Sequence, residues 1–116
     1  MLIVEDEAAT RWTLGAYLRG RGYIVNQAES GPRAFERLRH ITPHVIVLDL
    51  ATPEMDSREF ITTLRGQAAL ATVPVVLLAG EGNLPQLTEE LQPRASLAKP
   101  VDLDVLAAVV ERAASA

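Results

Sequence analysis

Short, dense apolar runs alternate along the chain with longer stretches in which apolar residues recur every three to four positions. Residues 2–4, 45–48 and 75–78 are apolar at every position, as expected of strands covered on both faces. Residues 23–25 form a weaker fourth candidate strand and 95–98 the faintest fifth. Between them, residues 8–19 carry Leu14 and Leu18 at helical spacing, 32–39 carry Ala34, Phe35 and Leu38, and 59–64 carry Phe60, Ile61 and Leu64. Residues 84–91 and 103–114 complete a set of five amphipathic helices. Gly22 follows the first helix, Ser30 precedes Pro32 at a helix start, and Pro43 and Pro74 stand just before strands.

The rhythm is βα repeated five times. Strands that alternate with helices form a mostly parallel sheet covered on both faces through right-handed crossovers, so the expected class is α/β. No linker, low-complexity run or internal repeat beyond the βα rhythm divides the 116 residues, which are expected to form one domain.

Composition narrows the function. The 48% apolar and 22% charged content is that of an ordinary globular chain. A net charge of −4 and only five aromatic residues argue against a nucleic-acid surface, which needs clustered cations and stacking platforms. The absence of cysteine excludes thiolate metal sites and thiol chemistry and suits a cytoplasmic protein. No apolar run approaches the roughly 20 residues a membrane span requires, and the first residues lack a basic segment followed by an apolar stretch, so the chain is expected to be soluble and unprocessed.

In open parallel sheets, ligands bind beyond the carboxyl ends of the strands. There the sequence places Glu5 and Asp6 after the first strand, Asp49 at the end of the third, Ala79-Gly80 after the fourth and Lys99-Pro100 after the fifth. Three clustered carboxylates repel one another unless a cation joins them. Mg²⁺ suits this set, because it is held by one or two carboxylates and keeps several waters: Asp6 and Asp49 would bind directly and Glu5 through water. Asp49 is also a candidate nucleophile toward phosphorus, and Lys99 a candidate partner for the transferred oxygens.

LIVEDE, VIVLDLATPEMD, PVVLLAG and SLAKP, in that order and spacing, resemble the receiver domains of bacterial response regulators, with Asp49, Pro53, Met55 and Asp56 the most specific part. The resemblance covers nearly the whole chain. It implies a doubly wound, flavodoxin-like sheet of order 2-1-3-4-5 flanked by five helices. It implies a signalling phosphoprotein rather than an enzyme, one that assists its own phosphorylation and dephosphorylation with Mg²⁺. Asp49 would be the phosphoacceptor of a two-component phosphorelay, fed by a sensor histidine kinase or histidine phosphotransfer protein and read by an output domain or effector. It also implies the carbonyl of Ala51 as a further metal ligand beside Glu5, Asp6 and Asp49, and the N–H groups of Ala51 and Gly80 as phosphoryl contacts. The chain would be such a domain whole, or one cut from a longer regulator or hybrid kinase.

Two departures stand out. The family usually carries Thr or Ser where this chain has Ala79, and an aromatic where it has Ser96; these are the residues that transmit the signal. Ser57 also replaces a common glycine. The departures sustain a rival reading, a degenerate receiver that acts as an interaction module independent of phosphorylation. A phosphatase of the haloacid-dehalogenase type would need an acid where Ala51 stands, and no G-x-G-x-x-G follows the first strand to cradle a nucleotide. Of the remaining residues, Trp12 is expected at the rim of the core, with an exposed anchor for a partner as the alternative. His40 and His44 are expected far from the carboxyl edge, and Arg33, Arg37 and Arg39 on a solvated helix face.

Overall fold

Ten elements follow one another in strict alternation in the computed structural model, which describes residues 1–49 and 55–115: β1 (Leu2–Glu5), α1 (Ala8–Gly20), β2 (Asn26–Ala28), α2 (Gly31–Leu38), β3 (Ile46–Asp49), α3 (Ser57–Arg65), β4 (Val75–Gly80), α4 (Leu84–Leu91), β5 (Ala95–Lys99) and α5 (Leu103–Ser115). All strand pairs are parallel and the order is β2-β1-β3-β4-β5, as expected.

The period of two along the central strands divides the core into two layers. Leu2, Val4, Ile46, Leu48, Val75 and Leu77 face one way and pack under Phe60, Ile61 and Leu64 of α3 and Leu38 of α2. Ile3, Val47, Val76 and Leu78 face the other way, against Leu14 and Leu18 of α1 and Leu106 and Val110 of α5. Every residue of β1 and β3 is buried, which is why these runs carry no polar alternation. Truncating a side chain such as Leu48 there would cost about 2–5 kcal/mol.

Helix starts are set by short polar side chains. Ser30 accepts from the N–H of Arg33 ahead of α2, and Asp56 accepts from the N–H of Glu59 ahead of α3. Asp102 accepts from the N–H groups of Asp104 and Val105 at the start of α5. α4 differs from the other helices. It has no buried residue, leans on the core only through Leu87 and Leu91, and ends at Gln92 in the left-handed conformation.

Two expectations are corrected. The second strand is Asn26–Ala28, pairing Leu2 with Asn26, and not the apolar triplet 23–25, where Ile24 is 85% exposed. β2 is an edge strand with one paired side, so half-buried Asn26 and Gln27 are tolerated and apolar density misplaces it. Trp12 does not sit at the core rim. It is 71% exposed on α1, because Leu14 and Leu18 define the buried stripe and Trp12 falls outside it.

Candidate active site

Parallel register brings the chemistry to one edge. Glu5 ends β1 opposite Asp49 at the end of β3, and Gly80 ends β4 opposite Lys99 at the end of β5. Lys99 Nζ lies 2.8 Å from Asp49 Oδ1, pairing a half-exposed lysine with a buried carboxylate. Asp6 follows β1 directly and is exposed. Of the residues expected here, Glu5, Asp49, Gly80 and Lys99 are therefore assembled, with Asp6 beside them. Ala51 and Pro53 lie outside the described residues.

Burial and mutual repulsion govern the electrostatics of the acids. Glu5 is only 3% exposed, and its pKa is raised to about 9 from 4.5, first by burial, then by hydrogen bonds to Asp49 and Asp6 and the charge of Asp49. The N–H of Glu7, which donates to Glu5 Oε2 at 3.3 Å, opposes this only partly. Burial lowers the pKa of Lys99, but its hydrogen bond to Asp49 and the charges of Asp49, Glu5 and Asp6 outweigh that and raise it. Burial and the neighbouring carboxylates thus favour the protonated form of Glu5. Among the described residues no three carboxylate or imidazole side chains form a metal cage by themselves.

The Asp49–Lys99 pair separates two cavities. One, of about 320 Å³, opens between the starts of α3 and α4, with Ala79, Gly80, Arg58, Asn83 and Gln86 on its walls. The other, of about 400 Å³, runs between α1 and the β5–α5 connection and is walled mainly by Ala9, Thr13, Leu14, Val101 and Leu103. A groove of about 410 Å³ beside α2 holds Arg33, Arg37 and His40, but Arg33 is already paired with Glu29 and Glu36 and the groove is remote from the acids. The expectation of a solvated basic face there holds. His44 precedes β3 at the opposite end of the sheet.

Sequence reasoning missed several residues. Arg11 donates to the main-chain carbonyl of Glu5 at 2.8 Å, tying α1 to the acidic strand end, and Arg58 bridges from α3 to Glu90 on α4 at 2.8 Å. Asn83 and Gln86 also went unnoticed. Their one signal is position: they open the helix after β4 and so stand at the carboxyl edge. At the two atypical positions, Ala79 is buried with no hydroxyl to offer, and Ser96 Oγ is hydrogen-bonded to Thr88 Oγ1 of α4 at 2.8 Å.

Comparison with known proteins agrees with this geometry. The family model described as the response regulator receiver domain matches residues 1–111. The chain is 32% identical over 113 residues to response regulator Rre1 of Synechocystis sp., covering 95% of this chain and 49% of that protein. It is 34% identical over 116 residues to the transcriptional regulatory protein ZraR of Escherichia coli, covering 97% of this chain and 26% of that protein. The chain thus spans half or less of these curated relatives. Among solved structures, the signal receiver domain of a signal transduction histidine kinase from Syntrophus aciditrophicus superimposes with a TM-score of 0.88 at 32% identity, over 98% of this chain and 88% of that one.

Proposed function

The chain belongs to the response regulator receiver domains of two-component signalling, and from that premise we propose that Asp49 is its phosphoacceptor. The observation that carries the reading is the buried Asp49 carboxylate held 2.8 Å from Lys99 beside the acids of β1. An Asp49 oxygen attacks the phosphorus of a phosphohistidine. The new O–P bond forms as the P–N bond breaks, the electron pair leaves with the imidazole, and the histidine is regenerated. Lys99 loses its carboxylate partner to the phosphoryl oxygens and follows them, which neutralises charge where it accumulates. The N–H groups of Gly80 and Ala51 are the proposed backbone contacts.

Glu5, Asp6 and Asp49, with the carbonyl of Ala51, would hold Mg²⁺; the meeting of Glu5 and Asp49 at adjacent strand ends supports this, since the ion needs few carboxylates and keeps several waters. When bound, the ion supplies positive charge to the phosphoryl oxygens during transfer. Asp49 is both ligand and nucleophile in this reading, so the domain works as a signalling module that promotes its own phosphorylation and hydrolysis rather than as an enzyme on a separate substrate.

The donor would be a sensor histidine kinase or phosphotransfer protein that reaches Asp49 over the apolar cavity between α1 and α5. Exposed Trp12, on the same helix as Ala9 and Thr13, is a natural anchor for it. Among the described residues no helix is long and apolar enough to cross a membrane; the cytoplasmic setting proposed here rests on membership of the receiver family. Because the curated relatives are at least twice as long, residues 1–116 are proposed as the receiver unit of a longer regulator or hybrid kinase, with the output elsewhere. The reading as an interaction module independent of phosphorylation is favoured by the missing hydroxyl at Ala79 and by Ser96, which is hydrogen-bonded to Thr88 where the family carries an aromatic.

The test is intact mass after incubation with Mg²⁺ and acetyl phosphate. The parent is expected to gain one phosphoryl group and Asp49→Asn none. A gain that persists in Asp49→Asn overturns the acceptor assignment, and no gain in the parent favours the interaction module.

A further inference from the structure

The cavity between α3 and α4 contains an unused polar group close to the atypical Ala79. Asn83 stands at the N-terminus of α4, yet its side chain makes no capping bond. Asn83 is exposed at the cavity mouth, and among the described residues no hydrogen-bond partner is found for its carboxamide. Its backbone N–H donates to the carbonyl of Gly80 at 3.0 Å, so the chain folds back on itself directly after β4 and holds Asn83 over the strand end. Gly80 in turn lies opposite Lys99 in the sheet. Asn83, Ala79, Gly80, Asp49 and Lys99 thus line one cavity of about 320 Å³. A Cβ built on Gly80 would meet no atom within 4 Å, so the end of β4 is not crowded by neighbouring elements.

We propose that the Asn83 carboxamide donates the phosphoryl hydrogen bond that Ala79 cannot, replacing a strand-borne hydroxyl with a helix-borne amide. The proposal rests on Asp49 being the acceptor. A phosphoryl group on Asp49 has three acceptor oxygens. Lys99 serves one flank and the metal side a second, while the flank toward Ala79 meets only a methyl group. An unpartnered N–H donor on the same cavity wall fills that need. Its competitors are less well placed: Ser57, buried on the same wall, already has an interaction of its own. Arg58 is engaged by Glu90 at 2.8 Å, and Gln86 lies one helical turn farther from Gly80, on a longer side chain with more freedom to lose.

This arrangement has a consequence for signalling. The phosphoryl group would pull on the first turn of α4, a helix with no buried residue, rather than on β4. Asn83 would therefore both steady the modified aspartate and carry its arrival to α4.

The experiment measures binding of beryllofluoride, a phosphoryl mimic, with saturating Mg²⁺, by amide shifts of Gly80 and Lys99, together with the lifetime of the phosphorylated state by intact mass. Parent, Asn83→Ala, Gln86→Ala and the double variant Asn83→Ala/Ala79→Thr are compared. Hydrogen bonds to charged groups carry enough free energy that Asn83→Ala is expected to bind the mimic roughly ten- to a hundredfold more weakly. Ala79→Thr, which returns a hydroxyl to the cavity, is expected to restore much of the loss; a purely structural role for Asn83 would not respond to it. Equal affinity in Asn83→Ala and parent, loss in Gln86→Ala instead, or no rescue by Ala79→Thr overturns the proposal while leaving Asp49 as acceptor. A parent that neither gains phosphoryl mass nor binds the mimic overturns both.

Discussion

Glu5→Gln isolates the electrostatic cost that β1 carries without a metal. With its pKa near 9 against 4.5 in an ordinary setting, Glu5 keeps a proton in the folded protein that the unfolded chain has released. The folded state binds more protons over that window, so stability falls as pH rises, by about 1.4 kcal/mol per pH unit. The contribution is fully present below pH 4.5 and lost as pH climbs toward 9. At pH 7, two and a half units above the ordinary value, the deficit is about 3 kcal/mol, a large share of the 5–15 kcal/mol that holds a typical domain together. Glutamine keeps the shape and donates where the protonated acid donates, but does not titrate. In chelator, urea unfolding from pH 5 to 8 is therefore expected to show the stability of the parent falling relative to Glu5→Gln, with the variant ahead by about 3 kcal/mol at pH 7. Added Mg²⁺ is expected to close the gap by favouring the ionised acid. Parallel pH profiles for the two proteins in chelator would refute the reasoning.

Other substitutions probe neighbouring contacts. Asp6→Asn removes a proposed direct ligand and is expected to weaken Mg²⁺ binding at least tenfold, read by amide-shift titration; unchanged affinity excludes Asp6 from the metal. Gly31→Ala would place a Cβ 2.3 Å from Met55 Sδ and 2.9 Å from Met55 Cβ, and is expected to cost about 1–3 kcal/mol in denaturant unfolding. Ser96→Ala breaks the bond to Thr88 and is expected to raise amide exchange across Leu84–Leu91 while leaving β1 and β3 protected. Introducing Ala79→Thr with Ser96→Tyr is expected to enlarge the beryllofluoride-induced amide shifts in β5, since it returns both residues through which the family transmits its signal.

What could be read from the sequence follows from how local each feature is. β1, β3 and β4 are buried on both faces, so they are visible as apolar runs, broken in β1 and β3 only by the acids Glu5 and Asp49 at the strand ends; β2 pairs on one side only, tolerates Asn26 and Gln27, and lies three residues beyond the apolar triplet 23–25. Glu5, Asp49 and Lys99 were legible because strand ends in a parallel sheet share one edge, which makes position in the chain a proxy for position in space. Trp12 misled because a large apolar residue in an amphipathic segment is ordinarily buried, whereas α1 has a stripe narrow enough to leave it outside. Arg11, Arg58 and Asn83 were invisible for another reason: their partners are a main-chain carbonyl, a residue on another helix and the wall of a cavity, none of which leaves a local pattern.

The two halves of the site differ in how firmly they are held, and this bears on how a signal would leave it. Asp49 and Glu5 are fixed by buried strands with both core layers behind them, so the acceptor cannot move far. α4 is held by Leu87 and Leu91, the Arg58–Glu90 bridge and the Thr88–Ser96 hydroxyl pair, contacts that are partly exposed and singly weak. A ligand shifts a conformational equilibrium only through contacts that differ between its states. With Ala79 unable to follow a phosphoryl group and Ser96 engaged by Thr88, the element with the most freedom to respond is α4. The pull therefore has to reach α4 from the cavity side, through residues such as Asn83 that the family pattern does not mark, if phosphorylation is to be read at all.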